Sequence, residues 1–505
     1  MLFNSLDFIF VFLPLALALY FLTARFGIRA AATVTTLTSL VFYGWWKPSF
    51  LPLPILSIAF NFLLAGLITD AERNRARWLL TFGIVANLLV LGYFKYSDFL
   101  LSIFEERNPG PPNVPLALSF TTFVQIAFLV EGYRRKLATP LPTYAMFVSF
   151  FPHLIAGPIV RWSELGPQLA EQNRYRLDWD NIARGLTIFC LGLAKKVLVA
   201  DKLAMFVAPV FDAASNGAPV SGAAAWGGSI AYSLQLYFDF SGYSDMAVGL
   251  GLLFNFRLPI NFAAPFRATS IIDLWRRWHI SLSRYLRDFV YMPLGGNERG
   301  PVKRAVNLMV TMVLGGFWHG ANWTFIAWGA FHGALLTVNH LWRSVRGEAS
   351  NSASARIVGW ILTFTAFAIG MTMFRASNIQ AAGRLLQAMA GFAHSPDNAP
   401  VLVSFDFWAM EKGYVTEAFV RRWFGSYWSF VGSLATLVAF TIAMAIPDTM
   451  EFADYREGEP HSNWRRSWSP LRWSPSPAWA VAILALFAVA FANLGDFSEF
   501  LYYQF

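Results

Sequence analysis

The chain has 505 residues, of which 56% are hydrophobic and only 14% charged, with 39 Lys and Arg against 30 Asp and Glu for a formal net charge of +9. Soluble proteins carry about 25% charged residues, so a water-exposed globular fold is excluded. The positive charge lies in short segments between apolar blocks, where it sets membrane topology and gives no reason to expect a nucleic-acid partner.

Apolar blocks are expected at 6–24, 31–46, 50–69, 78–101, 115–131, 143–160, 182–200, 224–256, 301–317, 321–342, 356–374, 428–446 and 478–494. A bilayer-spanning helix needs about 20 such residues. Asp7 stands where a secretion signal would be basic, so Leu6 to Leu22 reads as a retained first span. The regions 143–160, 224–256 and 301–342 contain Gly, Pro or polar residues and are expected to be broken or re-entrant. The single cysteine, Cys190, lies inside an apolar block, which excludes an intrachain disulfide and a cysteine-based metal cluster. Arg25 and Arg29, then Arg73, Arg75 and Arg77, then Arg134, Arg135 and Lys136 follow the first, third and fifth blocks. Positive loops stay inside, so the N-terminus is expected outside. Arg465, Arg466 and Arg472 precede the last block and place the tail 495–505 outside as well. Residues 375–427 read as an amphipathic or extramembrane insertion, and 428–505 as C-terminal spans with an aromatic tail.

Several polar residues interrupt the blocks. Gln235, Asp239 and Tyr243 recur at helical spacing, and Ser241 and Asp245 form a second stripe. A buried carboxylate such as Asp239 or Asp245 must pair or take up a proton; Arg257 or Arg267 is the expected partner, with a proton relay as the alternative role. His153 sits beside Pro152, Gly157 and Pro158, where a broken helix is expected. Residues 270–290 read as one amphipathic helix with Arg276, Arg277, Arg284 and Arg287 on a single face. That face suits the phosphates of an anionic donor such as coenzyme A, or alternatively lipid headgroups. His279 falls on the apolar arc, where it either hydrogen-bonds internally or lines a pocket.

His319 lies between Gly316 and Gly320 in an apolar, aromatic-rich stretch. Ionisable residues kept in such surroundings are functional by default, although a helix-bridging histidine is the alternative. Acyl transfer to a hydroxyl needs a base that works near neutral pH, which an imidazole supplies without a metal. No HExxH or Cys/His ligand spacing is present. Asn322, three residues on, is expected to share a face with His319 and orient its ring. Trp318 and Asn322 are candidate donors to a tetrahedral oxyanion. His332 and His340 lie nearby in less distinctive surroundings.

The segments YFDFSGYSDMAVG (237–249), NFAAPFRATSIIDLWRRWHISLSRYLRD (261–288), GGFWHGANWTFIAWGAFHG (315–333) and SFFPHLIAGPIVRWSEL (149–165) resemble the membrane-bound O-acyltransferase (MBOAT) family. Within it they resemble the alginate O-acetyltransferase, AlgI-like branch, related to the D-alanine transfer protein DltB. The resemblance implies an all-α polytopic fold, with a core over 1–374 that rings a central tunnel with transmembrane and re-entrant helices. It implies His319 as the essential histidine and His279 as the second. It further implies acetyl-CoA as co-substrate without a bound cofactor, entering from the cytoplasmic side of a bacterial inner membrane with both termini periplasmic. A periplasmic acetyltransferase of the AlgJ/AlgX type would complete transfer to an exported polysaccharide. The final residues, Phe500 to Phe505, resemble the aromatic C-terminal motif of this branch, with Tyr503 in place of the more usual phenylalanine. Tyr502 is the matching acyl-relay tyrosine, with an interfacial aromatic anchor as the alternative. Related activities on cellulose, peptidoglycan or teichoic acid, and passive donor transport, are the competing functions.

Overall fold

The apolar blocks fold as helices, and their ends follow local chemistry. Ser270, Asn322, Ser352, Asn378 and Ser476 each cap a helix by accepting a backbone N–H two or three residues on. The structure is a computed structural model that describes residues 1–45, 47–105, 114–155, 157–298, 300–347, 352–392, 430–455, 473–494 and 501. All regular secondary structure among the described residues is helical. Most of 375–427, the loop before the last helix and Tyr502 lie outside the described residues.

Among the described residues, four helical segments, Asp7–Ala24, Pro48–Asp70, Arg73–Phe104 and Ala353–Arg375, are long and apolar enough to cross a bilayer. At 1.5 Å per residue, a helix of about 20 residues spans the roughly 30 Å hydrocarbon layer. Their outer faces expose Leu63, Leu67, Leu89, Phe104 and Leu362. Apolar exposure on this scale suits lipid and not water, and the protein is a multi-pass membrane protein.

The breaks expected at 143–160 and 301–342 are present. Helix Leu141–Ser149 stops one residue before the short helix Phe151–Leu154. Helices Gly300–His319 and Trp323–Arg346 are separated at 320–322. Two expectations are corrected. Residues 224–256 are not broken, since Gly222–Leu253 is a single helix. Its polar residues find partners without a break: Ser233 bonds back to the Ser229 carbonyl, and Asp239 pairs with a lysine. Residues 270–290 are not one helix. They form Ile271–Arg277 and Ile280–Leu286, with His279 in the left-handed region at φ +44°, followed by a π-helical turn at Arg287–Tyr291.

The chain forms two compact units. The first comprises Met1–Leu193, Gly242–Asn261 and Thr449–Gly495. Its core contains an aromatic cluster in which Phe3 stacks on Tyr243 at 4.6 Å and Phe12 meets Phe151 edge-on at 5.2 Å. Asn61, Asn87 and Gln125 join three helices through buried amide hydrogen bonds, which satisfy polar groups that lipid cannot. The buried His153 is held internally, with Nε2 donating to the Phe147 carbonyl at 2.9 Å.

The second unit comprises Ala194–Ser241, Phe262–Asp448 and Asp496–Phe505. Its centre is the antiparallel pair Gly300–His319 and Trp323–Arg346. A Cβ at Gly316 would collide with the Phe325 carbonyl oxygen, and one at Gly329 with the Met312 carbonyl oxygen. The two backbones therefore touch directly, as small residues permit in membrane helix pairs.

Candidate active site

The second unit brings together His279 and His319, which lie 40 positions apart in the sequence. His319 is the last residue of Gly300–His319, so the end of the helix and the small residue Gly320 leave its ring at a chain reversal. His279 occupies the reversal between two short helices. Both are buried, and their ring centroids are 6.2 Å apart. Aromatic rings enclose the pair. His319 lies 4.9 Å from Trp318, 5.3 Å from Trp328 and 5.1 Å from Phe374, while His279 lies 4.7 Å from Phe240. Each well-oriented aromatic contact is worth about 0.5–1.5 kcal/mol beyond its buried area. The enclosure leaves His279 1% and His319 5% exposed.

His279 lies outside the four spanning helices, and burial pushes it down to about 3, so it is neutral at ordinary pH. A non-glycine residue in the left-handed region costs about 1–2 kcal/mol. Here that cost turns the imidazole inward beside Phe240 and Trp318.

Other expected site residues are placed differently. Asn322 does not share a helical turn with His319, because the helix has already ended. It caps the next helix instead, with Oδ1 accepting from the Thr324 N–H at 3.1 Å and Nδ2 donating to the Ser377 carbonyl at 2.8 Å. The arginines do not share one helical face. Arg277 bonds Asp273 at 2.9 Å and Arg287 bonds Asp288 at 2.7 Å, while Arg276 is exposed and Arg284 half-buried. Tyr502 lies outside the described residues.

Asp239 pairs with neither Arg257 nor Arg267. Its partner is Lys196, whose Nζ is 2.7 Å from Asp239 Oδ1 and 2.7 Å from Asp201 Oδ1. Arg267 instead donates to the Met444 and Ile446 carbonyls. Sequence reasoning passed over Lys196, although a lysine within an apolar block was the signal available, since a charge there demands a partner. It also passed over Phe240 and Phe374, whose roles depend on long-range packing. His332 is fully buried, with Trp275 at 5.3 Å and Trp328 at 4.9 Å.

The second unit of this helical membrane protein thus encloses two imidazoles in aromatic side chains. The chain belongs to the membrane-bound O-acyltransferase family, whose profile matches residues 120–380, and it is an O-acyltransferase. It is 41% identical to the "Peptidoglycan O-acetyltransferase" of Helicobacter pylori over 77% of this chain and 80% of that one. It is 38% identical to the "Probable alginate O-acetylase AlgI" of Azotobacter vinelandii over the whole of both chains. A "Teichoic acid D-alanyltransferase" of Streptococcus thermophilus is 30% identical over 45% of this chain and 57% of that relative.

Proposed function

We propose that the protein moves an acetyl group from acetyl-CoA, on the cytoplasmic side of a bacterial inner membrane, toward an exported polysaccharide such as alginate, with His319 as general base. The buried His279–His319 pair is the observation that carries this reading. In the mechanism, His319 removes the proton of an attacking hydroxyl, that of Tyr502 in the relay form. The hydroxyl oxygen adds to the thioester carbonyl, the carbon–sulfur bond breaks, and the imidazolium returns its proton to the departing thiolate. The Trp318 indole is a candidate donor to the intermediate oxyanion. Asn322 is less suited, because its oxygen and nitrogen are both engaged at the helix cap. Of the arginines proposed to meet the donor's phosphates, Arg276 and Arg287 are exposed, and Arg287 is paired with Asp288. A periplasmic acetyltransferase of the AlgJ/AlgX type would accept the acetyl group and pass it to the sugar hydroxyl.

A second reading, acetyl transfer for peptidoglycan, is favoured by the Helicobacter pylori relative. Analysis of acetate released from each purified polymer of the native cell separates the two. The base assignment is tested with His319→Ala. Normal membrane insertion with acetyl transfer reduced about 10²-fold or more is expected, and unchanged transfer would refute it.

A further inference from the structure

A lysine in dry surroundings is stable only where carboxylates meet it. The second unit supplies two, so that Lys196 bridges Asp201 and Asp239, with all three side chains at 8% exposure or less. Lys196 engages Oδ1 of Asp239. The other oxygen, Oδ2, accepts the backbone N–H of Leu501 at 3.1 Å, across 262 positions of sequence. Leu501 is itself buried. The carboxylate is thus divided, one oxygen on an ammonium and the other on the main-chain N–H of Leu501.

We propose that Asp239, oriented by Lys196 and Asp201, is a positioning residue that clamps the backbone at Leu501, one residue before Tyr502 in the sequence. The contact is to an N–H group, so it reads the path of the chain and not the identity of the side chain. It is a single charge-assisted bond. Loss of such a bond changes an equilibrium by about ten- to a hundredfold. Its bearing on acyl relay rests on the function proposed above; the clamp does not.

The test is hydrogen–deuterium exchange on the full chain in detergent, reading the peptide that contains Leu501. Asp239→Ala should speed its exchange about tenfold or more while peptides from Gly300–His319 and Trp323–Arg346 are unchanged. In a second variant, the Leu501 amide is replaced by an ester, which deletes the N–H and leaves every side chain in place. Carboxypeptidase should then trim the tail about tenfold faster, and adding Asp239→Ala should change that rate no further. Unchanged tail exchange in Asp239→Ala, or unchanged trimming in the ester variant, overturns the clamp. The ester variant decides alone if Asp239→Ala does not fold. Neither measurement needs catalysis: transfer absent with Leu501 still held refutes the proposed function and keeps the clamp. A freed tail with normal transfer refutes the positioning role and keeps the proposed function.

Discussion

Lys196→Met leaves the volume of the second unit almost unchanged and removes the cation that bridges Asp201 and Asp239. One oxygen of each carboxylate, Oδ1, is 2.7 Å from Nζ. At an effective dielectric of about 20, a unit pair at 4 Å is worth about 4 kcal/mol, so both attractions are large before desolvation is counted. Removing one partner of a buried pair costs about 3–5 kcal/mol, because the charge left behind is uncompensated. Lys196→Met strands two carboxylates, whereas Asp201→Asn leaves the Lys196–Asp239 pair intact and should cost about 1–2 kcal/mol. At about 2 °C per kcal/mol, tryptophan-fluorescence melting in detergent should place Lys196→Met about 6–10 °C below the parent and Asp201→Asn about 2–4 °C below it. Equal shifts for the two variants would show that Lys196 does not bridge the carboxylates, and the reasoning would be refuted.

Gly316→Ala places a methyl against the Phe325 carbonyl and should cost about 1–3 kcal/mol, read as a lower melting midpoint; an unchanged midpoint would mean the two helices are not in backbone contact. Asn322→Ala removes a helix cap and should cost about 1 kcal/mol with the pH profile of transfer unaltered. A displaced profile would restore Asn322 to an orienting role at His319. His279 carries its pH signature in stability. Its ordinary value near 6.5 is depressed to about 3 in the fold, so on acidification the unfolded chain binds the proton first. Stability is therefore expected to fall as pH drops from 6.5 toward 3, by up to about 1.4 kcal/mol per pH unit. His279→Asn, which tolerates the left-handed backbone better than most residues, should reduce the slope of that limb in urea titrations, and an unchanged slope would show that His279 is not among the groups buried neutral.

The membrane class, the helical content and the sites of several breaks were legible in the residues themselves. Apolar blocks of about 20 residues in a chain with 14% charge have no other stable solvent. The interruption at Gly320 to Asn322 follows from a small residue and a capping asparagine standing together. The amphipathic pattern of 270–290 misled, because a periodicity of polar and apolar residues describes which faces exist and not whether the backbone stays helical. The left-handed turn at His279 is held by packing against Phe240 and Trp318, and none of these contacts is local.

Pairing was the other limit. Asp239 announced by itself that a buried carboxylate needs a cation, since a lone charge in a dry interior is untenable. Which cation it meets was decided by the fold, which turns Lys196 inward at a π-helical turn and leaves Arg267 to the carbonyls of Met444 and Ile446. Local sequence thus determined which groups must be satisfied and where helices can begin and end. Only the tertiary structure decided who satisfies them, because charge and aromatic contacts act through distance in space, and the two histidines come together across 40 residues only once the helices between them have packed.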